Sequence, residues 1–376
     1  MKQDDQARTV VVKIGSSTLT TSENSLDYDY FNELAAQVAR VRAKGWRVVI
    51  VTSGAIACGL KTLGIAQRPT DMPTLQAAAS VGQTTLASAY ADAFGAFDIL
   101  TSTVLLTRRD TADRNAYLHA RDTLKRLLDL GIVPIVNEND TISVEQIRFG
   151  DNDTLAALTA VLVSADLVIL MSDIDGLYNA NPATDPHAHL LPRVEVIGPE
   201  ILAMGGGVGS SVGSGGMVTK LKSAQVLMAA GIPMAICHGR KQGAIEAITQ
   251  GESVGTLFSP RQAPHEITPK KLWIALGDST RGTLVVDAGA RRALVESGSS
   301  LLSVGVCALE GKFNEGDIVD IKDESGHVFA RGKIRACSDE VELGIGKTRE
   351  YLRGNHLLAH LADGSLVHRD DLVVFE

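Results

Sequence analysis

The feature that most restricts the fold of this 376-residue chain is a repeated unit: a β-branched apolar run that breaks into small polar residues and gives way to a helical pattern. Thr9-Val10-Val11-Val12-Lys13-Ile14 ends in Gly15-Ser16-Ser17, and Phe31, Leu34, Ala35, Val38 and Val41 then recur at helical spacing up to Gly45. Arg47-Val48-Val49-Ile50-Val51 repeats the pattern and ends in Thr52-Ser53-Gly54. The same reading predicts strands over 99–106, 132–136, 167–171 and 234–237, with helices over 74–94, 116–130, 154–163 and 219–230. Fully apolar strands separated by helices specify an α/β fold with a mostly parallel sheet covered on both faces. Ligands of such sheets gather beyond the carboxyl ends of the strands, where these small polar turns must lie.

The texture changes after Phe258. Prolines at 260, 264 and 269 punctuate a linker, and short strand-like runs follow with turn signals at Leu309-Glu310-Gly311, Asp323-Glu324-Ser325-Gly326 and Ala362-Asp363-Gly364. A single helix, near 288–297, interrupts them. The expected organisation is a body over 1–259, a linker over 260–270 and a small β-rich module over 271–376. With 36 glycines and 4% aromatic residues, the composition favours α/β layers with tight turns over a β-sandwich. A net charge of −8 gives no overall pull toward nucleic acid or acidic membranes. Any polyanion must therefore be held locally.

Four cysteines, Cys58, Cys237, Cys307 and Cys337, form no C-x-x-C pair and read as scattered buried thiols. The most membrane-like run, 156–171, is broken by Thr159, Ser164 and Asp166. The first residues, Met1-Lys2-Gln3-Asp4-Asp5, lack the apolar stretch of a signal peptide. The expectation is a soluble, cytoplasmic protein with no membrane partner.

Four segments carry chemistry. Lys13 enters the Gly15-Ser16-Ser17 turn, where backbone N–H groups and an ammonium can meet phosphate oxygens. A glycine-rich stretch, Gly205 to Gly216, runs through Met217-Val218-Thr219-Lys220 into a helix and implies either close backbone approach or a mobile cover. Acid–amide clusters stand at Asn137-Glu138-Asn139-Asp140-Thr141 and Gly150-Asp151-Asn152-Asp153-Thr154. Residues 151–153 can cap a helix, but two such clusters on the ligand edge exceed what capping needs. A carboxylate there can pair with a substrate ammonium, amides can bind a substrate carboxylate, and a further acid can align the lysines. The loop Asp173-Ile174-Asp175-Gly176-Leu177-Tyr178 lacks the spacing of a calcium hand, and no metal-ligating set is expected. Gly344-Ile345-Gly346-Lys347-Thr348 and His368-Arg369-Asp370 imitate a Walker loop and a kinase catalytic loop without their surroundings.

In order along the chain, Val12-Lys13-Ile14-Gly15-Ser16-Ser17, Val51-Thr52-Ser53-Gly54-Ala55-Ile56, Asn137-Glu138-Asn139-Asp140, Gly150-Asp151-Asn152-Asp153, Asp173-Ile174-Asp175-Gly176-Leu177-Tyr178 and Gly215-Gly216-Met217-Val218-Thr219-Lys220 resemble the motifs of the amino acid kinase family. The tail is similar to the PUA domain that many of these kinases carry. The resemblance implies an αβα sandwich that moves the γ-phosphoryl group of ATP to the side-chain carboxylate of L-glutamate, the first step of proline synthesis. It further implies magnesium on the ATP phosphates, a dimer or tetramer, and proline as a feedback inhibitor.

Carried over residue by residue, the resemblance assigns Lys13 and Lys220 to the transferring phosphate, with Gly15 and its neighbours supplying N–H donors and Asp153 orienting the lysines. It assigns Ser53, Asp140 and Asn152 to glutamate, and Ser172, Asp173, Ser214, Gly215, Gly216, Met217, Val218, Thr219 and Lys220 to ATP. Ser172 stands where the family usually has threonine. A relative acting on acetylglutamate, aspartate or carbamate would share the ATP half; the paired acid–amide clusters and the PUA-like tail favour glutamate. An RNA-binding scaffold is the reading from another class, and residues 270–376, with 14 basic and 17 acidic side chains for a net −3, speak against it.

Overall fold

The computed structural model describes residues 7–21, 25–107, 114–142, 152–206, 216–260, 271, 274–275, 280–356 and 358–375. The chain forms two compact units, residues 1–264 and 265–376. In the first, strands β1 (Thr9–Ile14), β2 (Arg47–Val51), β3 (Thr101–Leu106), β4 (Val133–Glu138), β5 (Leu167–Ser172), β6 (Arg193–Val194), β7 (Met234–His238) and β8 (Thr256–Phe258) make one sheet in the order β3-β4-β2-β1-β5-β7-β8-β6. Every pairing is parallel except β7 with β8. β1 runs through the middle, all six of its residues buried, which is why its sequence is nearly continuous valine and isoleucine.

The sheet's alternation sorts the helices. On one face Val10, Val12, Ile14, Ile50 and Ile135 share a core with Phe31, Leu34 and Val38 of α2 (Tyr28–Ala43) and with Tyr90 and Phe94 of α4 (Met72–Gly95). Phe31 and Tyr90 meet edge to face with centroids 4.8 Å apart. The other face carries α6 (Asp153–Val163), flanked by α5 (Arg114–Asp129) and α8 (Met217–Ala229). Nine of the eleven residues of α6 are buried, so it is apolar almost all round rather than amphipathic.

Two short helices, α1 (Ser16–Leu19) and α3 (Ala55–Thr62), follow the turns that end β1 and β2. The sequence pattern predicts no helix over 52–73, where α3 forms. α3 begins at Gly54, whose φ of 95° lets the chain reverse directly out of β2. It then crosses α4 so closely that a Cβ on Gly59 would lie 1.7 Å from the Ala78 carbonyl oxygen, and one on Gly82 1.9 Å from that of Ala55. The glycine that permits this crossing also removes an apolar position from the helix's own pattern, which hides it in the sequence.

The second unit holds a five-stranded sheet in the order β10-β9-β11-β12-β13, from β9 (Gly282–Val286), β10 (Val306–Gly311), β11 (Ile318–Lys322), β12 (Val328–Ile334) and β13 (Val367–Val374), with only β9 and β11 parallel. Its core gathers Leu284, Val286, Leu294, Val319, Ile321, Phe329 and Val367. The helix near 288–297 is α10 (Ala288–Ser297), its first turn capped by Asp287 accepting from the Ala290 N–H at 2.7 Å.

Three further helices correct the reading of a single one: α11 (Ser338–Gly344), α12 (Arg349–Gly354) and α13 (Ala359–Asp363). At five to seven residues each, they are too short to display a helical period. Gly344-Ile345-Gly346-Lys347-Thr348 joins α11 to α12, where Thr348 accepts from the Tyr351 N–H at 3.3 Å, and His368-Arg369-Asp370 lies within β13. The cysteines also divide: Cys58 and Cys237 are buried, but Cys337 is half-buried and Cys307 exposed on β10.

Because backbone oxygen stands where an added methyl would go, Gly82→Ala should force α3 and α4 apart. We expect a loss of stability on the order of 3 kcal/mol in urea unfolding, against less than about 0.5 kcal/mol for Ser88→Ala on the exposed side of the same helix.

Candidate active site

Three elements deliver one ionic cluster to the carboxyl end of the sheet. Lys13 is the penultimate residue of β1, in register with Val51 of β2 and Leu170 of β5, so its ammonium emerges over the two central strands. Asp153 opens α6, where a carboxylate is favoured by the helix dipole. Lys220 stands in the first turn of α8, which packs against α6. Lys13 Nζ lies 2.7 Å from Asp153 Oδ1 and Lys220 Nζ 2.9 Å from Oδ2. Asp153 is fully enclosed, and the lysines are 5% and 6% exposed.

Thr219 Oγ1 adds a contact of 3.2 Å to the same Oδ2, and its hydroxyl also reaches the Gly216 carbonyl at 3.0 Å. Two cations on one carboxylate leave the cluster with a net charge of +1. Its unbalanced charge suits an arriving anion, while the carboxylate holds together two ammonium groups that would otherwise repel each other.

A second polar chain adjoins it through Asn152. The Asn152 amide nitrogen donates to the Thr52 carbonyl, to Asn137 Oδ1 at 2.9 Å and to Ser53 Oγ at 3.2 Å. Asn137 in turn donates to Gln83 Oε1 at 2.8 Å. Asn152 occupies the cap position of α6, yet its side chain makes no capping bond. The capping role expected of Asn152 is therefore replaced by cross-links to β4 and to the turn that ends β2. On the other side of Thr52, its hydroxyl and that of Tyr90 are 2.9 Å apart, pinning the end of β2 to α4.

Gln83 leads into a cavity of about 360 Å3 that is also lined by Ser80, Glu138, Asn139 and Asp140. Glu138 is buried, and burial pushes the Asp140 carboxyl up to about 6, with the Arg68 guanidinium pulling it back down. Burial at this position thus disfavours a charged Asp140. Folding stability from this group is present at acid pH and fades as pH rises through about 6, and a cation placed beside the carboxylate reverses that penalty.

The third part is a junction of turns past β1, β5 and β7. The Gly15 N–H donates to the Met171 carbonyl at 3.2 Å, so this amide is occupied within the sheet, contrary to its expected role as a free donor to phosphate. Ser172 Oγ donates to Asp173 Oδ1 at 2.9 Å, and the Gly239 N–H donates to the Ser172 carbonyl at 2.7 Å. A Cβ on Gly239 would meet the Thr18 side chain at 2.6 Å, which keeps this turn flush against α1. Gly216, Met217 and Val218 lead into α8 with Val218 exposed, whereas Ser214, Gly215, Gly150 and Asp151 lie outside the described residues.

Residues 8–238 match the Amino acid kinase family and residues 282–353 the PUA domain. The chain belongs to the amino acid kinase family. A glutamate 5-kinase of Moorella thermoacetica is 45% identical over 370 residues, 98% of this chain and 97% of its own. That of Syntrophotalea carbinolica is 43% identical over the whole of both chains. The solved UMP kinase of Ureaplasma parvum covers 68% of this chain and 99% of its own at 17% identity, with a TM-score of 0.49.

Within this amino acid kinase, the expected lysines and Asp153 come together, as do Ser53 and Asn152, whereas Asp140 lines the cavity beside Gln83. Asn137, Gln83 and Thr219 are drawn into the same networks. Asn137 carried a signal, a polar residue at the end of an otherwise apolar strand. Gln83 carried none: a lone amide in a helix reads as solvent-facing. Among the described residues no group of three or more His, Cys, Asp or Glu gathers to hold a metal ion.

Neutralising Asp153 leaves two buried ammonium groups face to face. Asp153→Asn should lower stability on the order of 3–5 kcal/mol in urea unfolding, and adding Lys220→Met should recover part of that loss.

Proposed function

We propose that this chain transfers the γ-phosphoryl group of ATP to the side-chain carboxylate of L-glutamate, giving L-glutamyl 5-phosphate and ADP, and so opens proline biosynthesis. The observation that carries the reading is the convergence of Lys13 and Lys220, 207 positions apart in the sequence, on the enclosed Asp153 carboxylate. The curated relatives named glutamate 5-kinase, matched over nearly the full chain, supply the substrate.

Phosphoryl transfer asks a protein to align two anions and to neutralise charge on the moving group. A glutamate carboxylate is already ionised at neutral pH, so no general base is needed. Its oxygen attacks the γ-phosphorus while the bond to the bridging oxygen breaks, leaving that electron pair on ADP. Lys13 and Lys220 flank the transferring group from β1 and α8, and Asp153 keeps both ammonium groups aimed at it. We assign Ser172, Asp173 and residues 214–220 to the nucleotide.

Magnesium fits as an ion carried in on the ATP phosphates, since the nearest buried carboxylate, Asp153, is already engaged by two lysines. Ser53 and Asn152 face the acceptor carboxylate, and Asp140 takes its ammonium group. The catalytic body is residues 1–259, joined by 260–270 to the PUA tail over 271–376. We read the enzyme as a cytoplasmic dimer or tetramer that responds to proline, with RNA not among its ligands.

Acyl phosphate trapped by hydroxylamine should form fastest with glutamate when ATP and magnesium are supplied with glutamate, aspartate or acetylglutamate in turn. Faster product from either competitor overturns the assignment. Lys13→Met and Lys220→Met should each lower kcat by about 10²-fold or more.

Asp140 adds a pH signature. Below about pH 6 glutamate must displace a proton from this carboxyl, so its KM should rise as pH falls through that value, approaching tenfold per unit. Asp140→Asn should bind weakly throughout and flatten the profile.

A further inference from the structure

We propose that Gln83 is a positioning residue for the acceptor site, fixing the direction of the amide chain that presents Asn152 and Ser53. The inference rests on the glutamate kinase reading above and adds a residue of α4, distant from the phosphate cluster in sequence.

The argument begins with a backbone group. The Thr52 carbonyl only accepts, so Asn152 must turn its nitrogen toward it. Asn137 must then offer Asn152 its oxygen, at 2.9 Å, and face its own nitrogen the other way. That nitrogen needs an acceptor, and Gln83 Oε1 supplies it at 2.8 Å. Each amide has one accepting and one donating end, so reversing any one of the three sets N–H against N–H or oxygen against oxygen. Asn137 and Asn152 are buried, and such a mismatch cannot be relieved by water.

Two further observations single out Gln83 as the end stop. Its Nε2 is enclosed and has no hydrogen-bond partner among the described residues, so within the protein Gln83 is tied to the network through Oε1. The preceding Gly82 brings the α4 backbone against the Ala55 carbonyl, two residues beyond Ser53, which fixes Gln83 relative to the turn it supports. The lysines are held separately by Asp153. Loss of the Gln83 acceptor should therefore loosen the acceptor site and leave the nucleotide half in place.

The test compares wild type, Gln83→Met, Asn137→Ala and the double variant in steady-state kinetics with ATP and magnesium, with thermal melts to establish folding. Gln83→Met should raise the KM for glutamate on the order of tenfold while kcat and the KM for ATP stay within about threefold. If both residues act through one chain, the double variant should be no worse than Asn137→Ala alone. Gln83→Leu, which also lacks the acceptor, replaces the Met variant if that melts early.

An unchanged glutamate KM, an equal rise in the KM for ATP, or multiplying losses in the double variant overturns the role of Gln83. A wild-type enzyme that does not phosphorylate glutamate instead overturns the functional reading. In that event, unequal rather than shared losses of stability in the Gln83 and Asn137 variants and their double would also end the proposed chain.

Discussion

The carboxylate of Asp153 is the point on which the active edge of the kinase unit depends. It sits at the start of α6, takes one lysine from the central strand and one from α8, and has no exposed surface of its own. Removing the carboxylate would leave two buried ammonium groups uncompensated in a low-dielectric setting, so the placement of both lysines depends on Asp153. This is how a strand and a helix with no direct sequence relation come to aim two ammonium groups at one place. The arrangement costs desolvation in the empty protein, and its net positive charge returns part of that cost when an anion arrives.

Around that point, the parallel sheet supplies position and close backbone contacts supply precision. β1 lies between β2 and β5, so its penultimate residue, Lys13, projects where three turns meet. The Gly59–Gly82 crossing brings α3 and α4 nearer than side chains would allow, and Tyr90 ties α4 to the end of β2. The turn containing Ser53 is thus clamped from both sides. Rigid support of this kind matters because a displacement of one ångström in a reacting group is enough to lose much of the advantage of alignment.

Much of this was readable in the residues. The valine-rich run of β1 announces a strand buried on both faces, and a lysine near its end, followed by glycine and two serines, marks that end as polar and significant. The small β-rich unit was visible from its turns. What escaped has physical reasons. α3 is hidden because its closest contact requires glycine. α11, α12 and α13 are shorter than two turns and leave no period.

Asn152 occupies a cap position and carries a good capping side chain, yet Thr52, Ser53 and Asn137 compete for its amide and win. The Gly15 amide reads as a phosphate donor but closes a bond to Met171 within the sheet. Spacing alone could not bring Lys13 and Lys220 together either, since their meeting is set by the tertiary packing of α6 against α8. The motif resemblance linked them where local chemistry could not.

The charge layout also bears on why glutamate suits the proposed reaction. One end of the site is cationic, at Lys13 and Lys220; the cavity end carries the acids Glu138 and Asp140; and the neutral amides of Asn152, Asn137 and Gln83 lie between. In the proposed reading the side-chain carboxylate of glutamate lies toward the lysines, and its α-carbon end, where ammonium and α-carboxylate balance, presents the ammonium to Asp140. The raised Asp140 carboxyl sharpens the preference: alone it resists ionisation, and beside an ammonium it ionises readily. An acid whose nitrogen is acylated would bring no positive charge to Asp140.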